Sequence, residues 1–211
     1  MKGYIFDLDG TLLDSQWVWK ESTIEIFDEF GLPNANELYL QMRSFSLEEA
    51  YDFIINMFQL SCSTDEMIHR VSKKVKEKYT YHVLAKEGVL EKLQEFHKQG
   101  IKMVIGTASE KEFIMDCLER LGINQLMDAI ITTSEYHTNK KEEVVIYDEA
   151  CKIMRLHKDE VMVFEDALHA IMTLKKHNYY VCAIEDDDET DHRQEIMKLA
   201  DRYLKSWKEF E

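Results

Sequence analysis

Tyr4-Ile5-Phe6-Asp7-Leu8-Asp9-Gly10-Thr11-Leu12-Leu13 is the segment from which the architecture follows. An apolar run of strand character delivers two carboxylates to the point where a buried strand ends. Residues at i and i+2 of an extended segment point to the same side. Asp7 and Asp9 are therefore expected to converge just beyond the strand's carboxyl end, the edge at which open parallel sheets bind ligands. Facing carboxylates repel unless a cation or a proton lies between them. An all-oxygen set with few carboxylates suits Mg²⁺, which keeps water and completes its shell from substrate phosphate. Gly10 allows a sharp turn after the second acid.

Short apolar runs recur at Met103-Ile105, Ala129-Ile131, Val161-Phe164 and Tyr180-Ile184, with helical patterns between them. Strands alternating with helices predict an α/β fold with a doubly wound parallel sheet. The interval between the first two runs breaks the rhythm, since it holds about a hundred residues where a crossover needs about a dozen. Within it, helical periodicity dominates. A first helix around Trp19, Ile24 and Phe27 stops at Gly31-Leu32-Pro33, a second starts at Ser46 with the capping-box pattern Ser-Leu-Glu-Glu, and a third spans roughly Thr64 to Tyr81. The expected organisation is a core of residues 1–14 and 84–211 and an all-helical insert, 15–83, acting as a cap. Hinge strands are expected near Asp14-Ser15 and Leu84-Lys86. Gly88 reopens the core with a helix from Val89 to Gln99, closed by Gly100.

Composition narrows the function. The 211 residues, 45% apolar and 32% charged, are those of a globular chain with a sizeable core. A formal charge of -15 argues against nucleic acid, whose binding needs Lys and Arg to replace phosphate counterions. No run approaches the roughly 20 apolar residues of a membrane span. The N-terminus carries one Lys before the first strand and no cleavable apolar segment, which gives the expectation of a cytoplasmic protein. Cys62, Cys117, Cys151 and Cys182 lack metal-ligand spacing and are expected as reduced core thiols. The expected partner is a small phosphorylated metabolite, with the chain a monomer or weak homodimer.

Each later strand end adds a fitting polar group. Met103-Val104-Ile105 leads into Gly106-Thr107-Ala108-Ser109, a small-residue turn whose hydroxyl and N–H groups suit an oxyanion. Lys140 and Lys141 precede a helix expected from Glu142 to Met154, and an ammonium there would neutralise phosphate charge. Val161-Met162-Val163-Phe164 ends in Glu165-Asp166. Singly, each has a plainer explanation: an Asp at a strand end is often a cap or turn residue, Thr107 or Ser109 can cap a helix, and a Lys pair is usually solvated. Four such motifs arriving in order, each at a predicted strand's end, favour chemistry.

In this order the motifs resemble those of the haloacid dehalogenase-like (HAD) superfamily, in its helical (C1-type) cap members of the beta-phosphoglucomutase and phosphoglycolate phosphatase branch. The family's DxDGT stands as Asp7-Leu8-Asp9-Gly10-Thr11, its hydroxyl motif as Thr107, and its acidic motif as Glu165-Asp166. Counting back from Ile146-Tyr147 puts its lysine at Lys141, with Lys140 the alternative, because Glu142 and Val144 replace the usual prolines. The resemblance implies a Mg²⁺-dependent phosphatase acting through an aspartyl-phosphate. In it Asp7 is the nucleophile and Asp9 the acid and base. Asp7, Asp9 through its carbonyl, Asp166 and Glu165 hold the metal, and Thr107, the Ala108 N–H and Lys141 hold phosphate oxygens. The alternatives are a sugar-phosphate mutase and a non-catalytic phospho-ligand-binding relative. Dehalogenating members lack the second Asp and phosphonate-cleaving members carry Ala there, so Asp9 disfavours both. Mutases carry a His where this chain has Trp19, and their cap Arg is replaced near Leu47. Ala167 and Ala170 stand where relatives usually have a hydroxyl residue and Gly. Trp17, Trp19, Lys20 and Arg43 are the cap residues expected to face substrate.

Overall fold

The computed structural model describes residues 1–42, 45–138 and 143–210. The chain forms two compact units, Met1–Ser15 with Val83–Glu211, and Gln16–His82. Strands of the first unit are β1 (Gly3–Phe6), β2 (Leu13–Asp14), β3 (Leu84–Ala85), β4 (Lys102–Thr107), β5 (Ala129–Thr132), β6 (Val161–Glu165), β7 (Tyr180–Ile184) and β8 (Arg202–Leu204). The second unit holds helices α1 (Trp17–Glu29), α2 (Ala35–Met42), α3 (Leu47–Phe58) and α4 (Thr64–Tyr81). The first holds α5 (Val89–Lys98), α6 (Lys111–Arg120), α7 (Val145–Met154), α8 (Leu168–Lys176) and α9 (Arg193–Leu199).

The main sheet has the order β5-β4-β1-β6-β7-β8 among the described residues, with every pairing parallel. From the central β1 the chain winds through β4 and β5 to one edge, then returns to β6 and winds through β7 and β8 to the other. The winding direction therefore reverses between β1 and β6, which makes their carboxyl ends the topological switch point of the sheet. Register fixes what arrives there. Phe6 pairs with Ile105 on one side and Phe164 on the other, so Asp7, just past β1, comes level with Glu165, the last residue of β6, which still pairs with Ala183 of β7.

Alternation along the strands divides the core in two. Ile5, Val104, Val163 and Val181 join Ile146, Tyr147, Ala150 and Ile171 of α7 and α8 in one buried cluster. On the opposite face Phe6 stacks on Phe164 (centroids 5.0 Å apart), and Phe164 stacks on Trp207 (4.8 Å). Tyr4 meets Phe96 edge-on at 4.7 Å, and Phe96 meets Phe210 at 5.4 Å. The C-terminal segment thus completes this face. Neither it nor β8 and α9 has a counterpart in the sequence reading, because β8 is three residues long and only its last is buried. β2 and β3 form a separate antiparallel pair, Leu13 opposite Ala85, at the two points where the chain passes between units.

The helical unit follows its caps. Ser46 makes a full capping box with Glu49 at the start of α3, and the Ser63 hydroxyl accepts from Glu66 N–H at the start of α4. Met67, Val71, Val75 and Tyr79, spaced by four, are the buried stripe of α4. α2 is an addition to the three helices expected; its eight residues follow Pro33 and Asn34, the latter at φ 54, and read in the sequence as a connection. α7 starts at Val145. Cys117, Cys151 and Cys182 are buried and free, whereas Cys62 is free but only half-buried, so it is not a core thiol. Among the described residues no helix is long and apolar enough to cross a membrane.

Candidate active site

The switch point gathers acid. Asp7 leaves β1 with its N–H donating to the Phe164 carbonyl at 2.9 Å, one step beyond the strand pairing. Asp7, Glu165 and Asp166 each bring a carboxylate oxygen to within 4.8 Å of the others, and all three residues are buried. Like charges drawn together out of water are stable only when a cation or protons offset them. The donor set is all oxygen and therefore suits a hard divalent ion such as Mg²⁺ better than a thiophilic one.

Local bonds hold this group. Glu165 Oε2 accepts the N–H groups of Asp166 (2.8 Å) and Ala167 (3.0 Å), and Oε1 accepts the Tyr147 hydroxyl (3.2 Å). The Thr11 hydroxyl donates to Asp166 Oδ1 at 2.6 Å, and the Thr11 carbonyl accepts from Trp207 Nε1 at 3.0 Å. Gly10 sits at φ 85 with its N–H donating to the Leu13 carbonyl at 3.0 Å, a turn that returns Thr11 towards β6. Ala167, which opens α8 without a side-chain cap, lacks the hydroxyl usual at that place; its N–H on Glu165 holds the acidic turn instead.

Asp9 has different surroundings. Its carboxylate is outside the three-residue group and accepts two short bonds, from Ser15 Oγ to Oδ1 and from Ser109 Oγ to Oδ2, each 2.5 Å. Asp7 lies with the β6 acids, and the partly exposed Asp9 is held by two serines. Beyond Leu8 the chain turns tightly, with the Leu12 and Leu13 N–H groups both donating to the Leu8 carbonyl at 2.9 Å and Asp9 bridged to Leu13.

Thr107 is buried at the end of β4, and its Oγ1 accepts the Ser109 N–H at 3.0 Å. Neither hydroxyl caps α6, which begins after Glu110 without a side-chain cap. Ala108 lies exposed in the same turn. Lys140, Lys141 and Arg43 lie outside the described residues. Trp17, Trp19 and Lys20 are half-buried in the first turn of α1, in the helical unit, where Lys78 Nζ sits 5.5 Å from the Trp17 ring centroid. His137 and His169 are exposed. The sequence reading did not single out Ser15, Thr11, Tyr147 or Trp207 for the site. Thr11 stands only within its motif, Ser15 and Tyr147 reach the acids through the fold, and Trp207 reaches the Thr11 carbonyl.

The chain's relatives fit this geometry. The family profile described as haloacid dehalogenase-like hydrolase matches residues 4–184. A validoxylamine A 7'-phosphate phosphatase from Streptomyces hygroscopicus subsp. limoneus is 24% identical over 201 residues, covering 95% of this chain and 92% of that protein. A phosphorylated carbohydrates phosphatase from Thermotoga maritima is 22% identical over 175 residues, covering 83% and 81%. Among solved structures, one described as a putative beta-phosphoglucomutase from Thermotoga maritima superposes with a TM-score of 0.85 at 20% identity, over 99% of this chain and 96% of that one. With the family profile spanning both β1 and β7, and the acids of the first and fourth motifs meeting at the switch point, the chain belongs to the haloacid dehalogenase-like hydrolase family.

Proposed function

We propose that this chain is a Mg²⁺-dependent phosphatase that hydrolyses a small phosphomonoester through an aspartyl-phosphate on Asp7. The enzyme class, a phosphoric monoester hydrolase, is that of its named phosphatase relatives. The observation that carries the mechanism is the division of acids: a buried Asp7 grouped with Glu165 and Asp166, beside an Asp9 held by two hydroxyls.

In the first half-reaction an Asp7 carboxylate oxygen attacks phosphorus as the phosphorus–oxygen bond to the leaving group breaks, and Asp9 gives the leaving oxygen its proton. In the second, Asp9 takes a proton from water as the water oxygen attacks phosphorus, releasing phosphate and restoring the Asp7 carboxylate. Two easier displacements replace one difficult step. Asp7, Asp166, Glu165 and the Asp9 carbonyl would hold Mg²⁺, which when bound supplies positive charge to the phosphoryl oxygens. Thr107, the Ala108 N–H and Lys141 hold the remaining oxygens, since phosphoryl transfer is chiefly positioning and charge stabilisation. Ser15 and Ser109 orient Asp9. The helical unit would serve as a cap, and Trp17, Trp19, Lys20 and Arg43 are the residues proposed to select the leaving group. The relatives' names favour a phosphorylated carbohydrate as substrate.

The test is phosphate release from a panel of small phosphomonoesters and an aryl phosphate, with and without Mg²⁺. Metal-dependent release from a sugar phosphate supports the reading. Isomerisation of a sugar phosphate without net release would replace it with a mutase, and binding without turnover would replace it with a non-catalytic relative.

A further inference from the structure

Glu165 accepts from two backbone N–H groups and from one tyrosine hydroxyl. The two N–H groups on Oε2 come from the acidic turn itself, while the bond to Oε1 comes from Tyr147, 18 residues away in sequence. Both residues have no exposed surface. Tyr147 lies near the start of α7, within the packed cluster of Ile5, Val104, Val163 and Ile171, so its ring is fixed from several sides. Its neighbour Tyr179, 6.1 Å away between centroids, sends its own hydroxyl to Asp148 at 2.5 Å and away from the acids. Of these two adjacent buried tyrosines, one is bonded into the carboxylate group and the other is not.

We propose that Tyr147 is a positioning residue that sets the affinity of the Asp7, Glu165 and Asp166 group for its divalent cation by fixing the Glu165 carboxylate. The inference rests on the metal reading given above. A hydroxyl donated to one oxygen, with two N–H groups on the other, leaves the carboxylate little rotational freedom, so its orientation is set before the cation arrives. Partners of this kind are worth about 10- to 100-fold in metal affinity.

The experiment is Mn²⁺ binding to the full chain without substrate, followed by electron paramagnetic resonance, with Mg²⁺ competition and a thermal melt of each variant. Tyr147→Phe is expected to weaken Mn²⁺ about tenfold or more with little change in melting temperature, and activity lost at low Mg²⁺ is restored by excess Mg²⁺. Tyr179→Phe, which removes the neighbouring buried hydroxyl, leaves Mn²⁺ affinity unchanged. In a Glu165→Gln background, Tyr147→Phe has no further effect on the residual affinity. Should the Phe variant not fold, Tyr147→Met removes the same hydroxyl and is expected to give the same shift. Unchanged Mn²⁺ affinity in the Tyr147 variant overturns the inference and leaves the phosphatase reading standing, as does an equal loss in the Glu165→Gln background. A wild-type chain that binds no Mn²⁺ overturns the inference and the metal reading together.

Discussion

Asp9 and Asp7 are two residues apart and work in unlike surroundings, and the difference is made by hydroxyls. If Ser109 orients Asp9 as proposed, Ser109→Ala removes one of two charge-assisted bonds, each worth about 1.5–3 kcal/mol when buried. Because Asp9 is partly exposed, kcat is expected to fall about tenfold, with KM for a small phosphomonoester little changed; steady-state kinetics would show it, and an unaltered kcat would remove Ser109 from the mechanism. Thiol chemistry gives a second residue-scale test. Burial pushes the Cys117 thiol up to about 11 and that of Cys182 up to about 12, while Cys62 is half-buried. Thiolate is the reactive form, so alkylation of the native chain near pH 8 should reach Cys62 first and the other two only on unfolding, as peptide mapping would reveal. Early labelling of Cys182 would contradict its burial. Asp7, Asp9, Glu165 and Asp166 were legible in the sequence because each follows an apolar run. The serines on Asp9 were not, because a bond across six residues depends on how the turn closes, and a bond from Ser109 across a hundred on which strands are neighbours.

Among elements, α1 and α4 show a ladder of ion pairs: Lys74 with Glu25 and Glu29, Lys78 with Glu21 and Glu25, and Arg70 with Glu29. The Lys78 ammonium bonded to Glu25 holds that carboxyl below its usual range, and Lys74 does the same for Glu29. A lowered folded-state pKa means stability that is fully present above the unfolded carboxyl value and lost as pH falls through the folded one. Lys74, raised chiefly by its bond to Glu29, has the opposite sense, losing its contribution only in strong alkali. Exposed pairs are worth about 0.2–1 kcal/mol each, so urea unfolding of Glu25→Gln should show a modestly lower stability at neutral pH and a flatter dependence on acid. An unchanged acid slope would show that the ladder contributes nothing. The capped start of α3, the extent of α4 and the strands β6 and β7 are readable from local pattern. α2 is not, since eight residues after a proline carry too little periodicity to distinguish a helix from a connection.

Across the whole molecule, the C-terminal segment closes back on the first motif. Trp207 stacks on Phe164, packs near Phe6, and donates to the carbonyl of Thr11, 196 residues earlier. Thr11 in turn holds Asp166. Trp207→Ala is therefore expected to cost about 3–5 kcal/mol, lowering the melting temperature by roughly 2–4 °C per kcal/mol for a chain of this size; a scanning calorimetry shift of under a few degrees would show that the aromatic face does not depend on it. No local feature of the sequence announces this contact. The switch point was foreseeable from strands alternating with helices, yet its bracing by Tyr147 and Trp207 appears only when residues far apart in the chain are brought into register.

The most direct test of the account is to quench the wild-type chain with acid while it turns over an aryl phosphate in Mg²⁺, and to map the peptides by mass spectrometry. Phosphate is expected on the peptide containing Asp7, assigned to that residue by fragmentation and absent from Asp7→Asn. Steady turnover with no phosphorylated peptide, or Asp7→Asn hydrolysing at the wild-type rate, would contradict it.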